Sequence, residues 1–242
     1  MSEYIIETKN LTKTYDIGQS VANLSIHVRK GKIYGLLGRN GAGKTTTMNI
    51  LLGLIRPTDG EVLIWGRPLF GNEKEILPRV GSIIEAPGFY PNLTATENLY
   101  IFAALRGVVN CHVIKDTLDI VGLPYGDKKV FSQYSLGMKQ RLGIALAIMH
   151  NPELLILDEP MNGLDPIGIA ELRSFLRQLC DEKGKTILVS SHTLSEISLL
   201  ADDIGIIDKG ILLEEQSLAK VYTYEDSLEK HFKRITGGEG IA

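Results

Sequence analysis

Cysteine is nearly missing from this chain: Cys111 and Cys180 are the only two in 242 residues. Two residues so placed support neither a disulfide framework nor a paired metal site, and a reduced, cytoplasmic protein is the simplest reading. Charge of one sign is missing too. The 26 Lys and Arg stand against 29 Asp and Glu, a formal net charge of −3, so there is no basic footprint and no nucleic acid is expected as a partner. No apolar run approaches the roughly 20 residues needed to cross a bilayer. The start of the chain, Met1 to Glu7, is acidic and lacks a signal-peptide core. Work at a membrane would have to be done through another chain. A hydrophobic share of 44% over this length is enough to fill a large α/β core.

What is present begins with Gly38-Arg39-Asn40-Gly41-Ala42-Gly43-Lys44-Thr45. An apolar run, Ile33 to Leu37, reads as a buried strand before it, and Thr46 to Leu52 reads as a helix after it. Glycines at 38, 41 and 43 let the backbone turn tightly and aim N–H groups inward at a phosphate chain. The positive end of the following helix adds to that field. Lys44 is placed to reach β- and γ-phosphates, and the Thr45 hydroxyl to ligate Mg²⁺. The stretch from Gly38 through Asn40, Ala42 and Lys44 to Thr46 is a candidate cradle for a nucleoside triphosphate.

Residues 3–33 alternate apolar and polar side chains and predict short antiparallel strands. Tyr15 closes the first of them, where an aromatic ring could stack on a purine or simply cover a sheet edge. Strands are predicted again at 61–65 and 80–84. Thr94 and Glu97 have capping-box spacing, so a helix should start near Ala95 with Leu99, Phe102, Ala103 and Leu105 on its apolar face. Helical patterns at about 112–121 and 136–149 make residues 90–150 mostly helical. A helix should run from Asp165-Pro166 to about Lys183, and strands should follow at 185–191 and on either side of Asp208-Lys209-Gly210. The tail, 217–242, holds a weak helical pattern and is expected to fray at its glycine-rich end.

Asp158 and Glu159 close an apolar strand, at the edge where open α/β sheets bind ligands. Asp158 suits a hard cation such as Mg²⁺, and Glu159, facing the other way, suits a general base for water. Alone they could be two solvated acids; beside a phosphate cradle they read as a pair with separate tasks. His192, beyond another strand, could donate to a γ-phosphate. Ser135 is an N-cap candidate for the helix Leu136-Gly137-Met138-Lys139-Gln140-Arg141, which makes a second anion site. A chain with one phosphate loop has no obvious use for a second, unless that site serves another molecule's ATP.

The order Gly38–Thr45, Ser135–Arg141, Leu155–Glu159, Gly163-Leu164-Asp165 and His192 resembles the nucleotide-binding domain of ABC transporters over about residues 3–215. The resemblance implies an α/β fold: a P-loop NTPase (RecA-like) core with an antiparallel β subdomain, at about 1–89 and 151–216, and an inserted helical subdomain at about 90–150. It implies ATP and Mg²⁺ as cofactors and an ATPase with Glu159, His192, Lys44 and Glu85 at its catalytic centre. Thr45, Asp158 and Glu85 would hold the metal. In that family two domains sandwich two ATPs head to tail, so Ser135 and Gly137 would face the partner's γ-phosphate, with the D-loop Asp165 nearby. Tyr15 matches the family's adenine-stacking aromatic.

Two departures stand out. The signature reads Tyr134-Ser135-Leu136-Gly137-Met138 rather than Leu-Ser-Gly-Gly-Gln, with the glycine close to phosphate kept. Glu85 falls where the family has a glutamine linking Mg²⁺ and water to the membrane subunit; a carboxylate binds a hard cation better but adds charge beside the γ-phosphate. The stretch Ile84 to Thr94, with Tyr134 to Gln140, resembles the subfamily protecting bacteria against lantibiotics and bacitracin-like peptides. The expected protein is a homodimerising ATPase on the cytoplasmic face of the membrane, driving a separate transmembrane permease. The alternatives are an ABC exporter of another substrate, a non-catalytic regulatory cassette, which the presence of Glu159 and His192 disfavours, and a soluble ABC ATPase acting on ribosome or DNA; such soluble proteins usually carry two cassettes or coiled-coil insertions, and this sequence has neither.

Overall fold

The computed structural model describes residues 3–16, 18–84, 88–108, 110 and 112–237. The alternation at the start of the chain folds as β1 (Tyr4–Tyr15), β2 (Gly18–Leu24) and β3 (His27–Arg29), with β2 and β3 each antiparallel to β1. The apolar run gives β4 (Ile33–Leu37), buried along its whole length, and α1 (Lys44–Leu51) follows the glycine loop. β5 (Asp59–Ile64) and β6 (Arg67–Pro68) return to the first sheet, whose order is β2-β1-β5-β6 with β3 also on β1. After α2 (Glu73–Ile76), β7 (Val80–Ile83) enters the second sheet.

Three helices come next: α3 (Ala95–Leu105), α4 (His112–Ile120) and α5 (Leu136–Ile148). The capping box forms at the start of α3: the Glu97 N–H donates to Thr94 Oγ1 at 3.2 Å, and the Thr94 N–H donates to the Glu97 carboxylate at 2.8 Å. Leu99 and Ala103 turn into the core as the spacing predicts. Leu105 does not. It is the last residue of α3, where nothing covers it, and it is 77% exposed. Asn98 is buried on that face instead, because its amide donates to the Leu93 and Thr94 carbonyls at 3.3 and 3.0 Å and its oxygen accepts from the Tyr90 N–H at 2.8 Å.

β8 (Leu154–Leu157), α6 (Pro166–Asp181), β9 (Thr186–Ser191), α7 (Leu194–Ser198), β10 (Asp203–Asp208) and β11 (Ile211–Ser217) complete the second sheet and its cover. Its order is β11-β10-β4-β9-β8-β7, parallel except for the β10–β11 hairpin. Lys209 and Gly210 join that hairpin with φ of +47° and +81°, the pair of left-handed residues that a two-residue turn needs. Successive strand residues point to opposite faces, and the core divides accordingly. Leu155 and Leu157 pack with the helices, while Leu154 and Ile156 pack with the first sheet. Both faces being covered explains why β4, β8 and β9 read as continuous apolar runs rather than alternating ones.

The tail is better anchored than its weak pattern predicts. α8 (Leu218–Val221) and α9 (Leu228–Ile235) send Leu218, Val221, Leu228 and Phe232 into the helix-side core. Leu228 and Phe232 are one helical turn apart in a charged segment, too short a stripe to register as periodicity. Of the glycine-rich end, residues from Gly238 on lie outside the described residues. Phe232 is 0% exposed, so Phe232→Ala should cost about 3–5 kcal/mol of stability, read as a lower denaturant midpoint. Tyr222→Ala, at a position 45% exposed, should stay within about 0.5 kcal/mol of the parent.

Candidate nucleotide site

In the parallel sheet β9 lies between β4 and β8, so the loops after all three strands open on one edge. The loop after β4 carries the glycines. Gly43 sits at φ +104°, and a Cβ there would meet the Ser20 carbonyl oxygen at 2.6 Å; one on Gly38 would meet the Ile207 carbonyl oxygen at 2.5 Å. Only glycine lets the loop lie this close to β2 and β10. The hairpin turn braces it from outside: the Gly210 N–H donates to the Ala42 carbonyl at 2.9 Å, and the Ala22 N–H donates to Gly210 at 2.8 Å. The ammonium of Lys44, at the start of α1, curls back under the loop and donates to the Gly38 and Arg39 carbonyls at 2.7 and 3.1 Å.

The acids meet this loop directly. Thr45 Oγ1 donates to Asp158 Oδ2 at 2.7 Å, and Lys44 Nζ stands 3.2 Å from Glu159 Oε1. His192 Nδ1 lies 2.5 Å from the other oxygen of Glu159. Ser190, fully buried near the end of β9, ties the two acids together: its hydroxyl donates to Asp158 Oδ1 at 2.5 Å and accepts from the Glu159 N–H at 2.8 Å. Glu159 itself sits at φ +48°, an uncommon conformation for a side chain of its size, which the surrounding bonds hold in place. Behind His192, the Ser191 hydroxyl donates to Glu196 at 2.9 Å; burial pushes that carboxyl above its ordinary range, with the Ser191 bond and His192 opposing. A polar cavity of about 250 Å³ is lined by Ser20, Asn40, Lys44, Thr46, Glu159 and Asn162, among others. Backbone N–H groups, a buried ammonium and a hydroxyl–carboxylate pair are what a polyphosphate with a hard cation requires.

The ABC transporter family model matches residues 21–162, more than half of the chain. The chain belongs to the ABC transporter family. It is 58% identical over 220 residues to the bacitracin transport ATP-binding protein BcrA of Enterococcus faecalis, covering 91% of this chain and 71% of that protein. Identity to the lantibiotic transport ATP-binding protein SrtF of Streptococcus pyogenes is 44% over 228 residues, 94% of this chain and 96% of the relative. The ATP-binding cassette MJ0796, solved as a dimer in a post-hydrolysis state with ADP and Pi, shares its fold at a TM-score of 0.78 with 27% identity, over 88% of this chain and 98% of that one. This ABC protein therefore binds ATP and is an ATPase. None of its helices, among the described residues, is long and apolar enough to cross a membrane.

The remaining candidates of this ABC chain lie apart from the Lys44 cavity. Tyr15 ends β1 with its ring 41% exposed and the Lys13 ammonium 5.2 Å from the ring centre. Ser135 caps α5 by accepting the Met138 N–H at 3.3 Å, and Gly137 faces Leu164 rather than the phosphate loop. Asp165 caps α6 by accepting the Gly168 N–H at 2.9 Å. Glu85 lies outside the described residues. Residues that the sequence reading missed are Ser190, Ser20, whose hydroxyl lies 2.9 Å from that of Thr46, and Gln140, which donates to the Pro160 carbonyl at 2.6 Å. Only the polar residues ending the otherwise apolar β9 signalled the first. Ser190→Ala should leave nucleotide binding largely intact while lowering kcat roughly 10- to 100-fold, because both acids lose their shared tether. Phosphate-release assays beside a nucleotide titration check this; an unchanged kcat would show that the tether is dispensable.

Proposed function

We propose that this chain is the ATP-hydrolysing subunit of an ABC transporter that expels a peptide antibiotic of bacitracin or lantibiotic type through a separate transmembrane subunit. The observation that carries the hydrolytic part is the connected set Thr45–Asp158–Ser190–Glu159–His192 closed against Lys44. The names of relatives 58% and 44% identical support the substrate class.

The loop N–H groups and Lys44 bind and orient the triphosphate, and they stabilise charge on the transferring phosphoryl group. As γ-phosphate oxygens draw Lys44 away, the ion pair with Glu159 opens and its carboxylate is released to take a proton from the attacking water. His192 holds the carboxylate on its other oxygen and is placed to follow the γ-phosphate. The Thr45 hydroxyl and Asp158 carboxylate, both oxygen donors at the end of the phosphate loop, fit Mg²⁺, which when bound neutralises phosphate charge. Tyr15, exposed at a strand end, serves as the adenine platform.

A homodimer completes the site. Support comes from Ser135 and Gly137, which are too far round the fold to line their own chain's phosphate cavity, and from the dimeric state of MJ0796. Glu159→Gln should retain ATP affinity, lose at least about 100-fold in turnover, and pass from monomer to dimer on adding ATP and Mg²⁺ in light-scattering chromatography. Cells expressing that variant with the membrane subunit should lose tolerance to the peptide. Turnover at the parental rate would remove Glu159 as the base, a persistent monomer would remove the dimer, and unchanged tolerance would remove the transport role.

A further inference from the structure

Away from the phosphate site, the helical segment and α6 enclose two adjoining cavities of about 560 and 580 Å³ that share Ile120, Phe175 and Gln178 in their walls. Both fall within the size range of small-molecule sites. The first carries more acid than base: Asp119 and Glu171 line it with Arg141, whose guanidinium pairs with the Glu171 carboxylate and donates to the Val121 carbonyl at 3.0 Å. The charged residues lining the second are both lysines. Ile148, Pro152, Leu155 and Leu179 supply apolar wall, and Lys183 and Lys185 stand at its rim.

Neither ammonium has a carboxylate partner among the described residues. Of the acids nearest to them in sequence, Glu153 pairs with Arg79 at 2.8 Å and Asp181 with Arg177 at 2.6 Å, while Glu182 accepts from the Gln178 amide at 3.0 Å. Lys185 donates to the Asn151 side-chain oxygen at 2.6 Å and carbonyl at 3.4 Å, both uncharged. Burial lowers its affinity for its proton, with Glu153 pulling the other way. Lys185 is partly buried and Lys183 is exposed, and positive charge at the edge of an apolar wall favours a ligand that brings both a counter-charge and a chain. An inorganic anion would leave the wall wet, and an uncharged hydrocarbon would leave the lysines uncompensated.

We propose that this cavity binds a single-chain amphiphilic anion, its alkyl chain along Leu155, Phe175 and Leu179 and its carboxylate or phosphate head on Lys183 and Lys185. The adjoining cavity reaches Gly137 and Leu164, so the occupant would lie between the helices whose first turns carry Ser135 and Asp165.

Calorimetric titration of the full chain without nucleotide tests this, using dodecanoate and dodecyl phosphate below their micelle concentrations, with dodecyltrimethylammonium and acetate beside them. At least one anionic amphiphile should bind saturably at one site, with the cationic chain and acetate at least about tenfold weaker. The stronger of the two anions identifies the head group. Replacing both lysines, Lys183→Gln with Lys185→Gln, should weaken binding at least about tenfold, and Ile120→Trp, which adds bulk to the shared wall, should do the same. Both variants should keep basal ATP turnover, which reports an intact fold. Absence of saturable binding, equal binding of the cationic chain, or full-strength binding by the lysine variant would overturn the proposal. If a variant fails to fold, the comparison of anion with cation on the unaltered chain still decides. No nucleotide is present, so the result is independent of the transport reading.

Discussion

The ammonium of Lys44 is 5% exposed, and a buried cation must be matched or it costs several kcal/mol. Two backbone carbonyls and one oxygen of Glu159 match it here. That constraint organises the edge of the sheet. The loop must bend back far enough to offer its carbonyls, which requires glycine where β2 and β10 crowd it. Glu159 must reach across from the far side of β9, which requires its left-handed backbone. A triphosphate offers Lys44 a stronger counter-charge than one carboxylate oxygen does. The arrangement is therefore one that a bound triphosphate would rearrange, and the group it would displace is the one proposed as the base.

Ser190 shows how the sheet order becomes chemistry. Asp158 and Glu159 are neighbours in sequence, proposed for different duties, and one hydroxyl from the intervening strand holds the side chain of the first and the backbone of the second. Beyond the site, Gln140 binds the carbonyl of Pro160, the residue after Glu159. The start of α5, where Ser135 and Gly137 lie, is thus linked to the acid loop by a hydrogen bond within one chain. The cleft behind α5 and α6 borders those same helices, so a ligand there would press on elements already joined to the loop of Asp158 and Glu159.

Local signals carried well from residues to structure. The capping box at Thr94 and Glu97, the Asp165 cap before Pro166 and the two-residue turn at Lys209-Gly210 all form, because each depends on atoms within a few positions of one another. Leu105 failed because a helical face says which way a side chain points and not whether anything lies opposite. The tail is helical where its weak pattern lay, but its anchoring was not legible: two anchors one turn apart are too few to show as a pattern, yet a waiting apolar surface is enough to bury them.

By itself, the sequence determined the phosphate loop, the apolar strands, the acid pair and the order of motifs, since these are properties of contiguous residues. Only the tertiary structure decided that β9 separates the two loops, that a serine on it binds both acids, and that Lys44 rests on Glu159. It also decided that two lysines, neither in an ion pair among the described residues, stand at the rim of an apolar cavity. Those facts depend on which distant segments come to lie side by side, and burial and pairing are set by neighbours in space rather than along the chain.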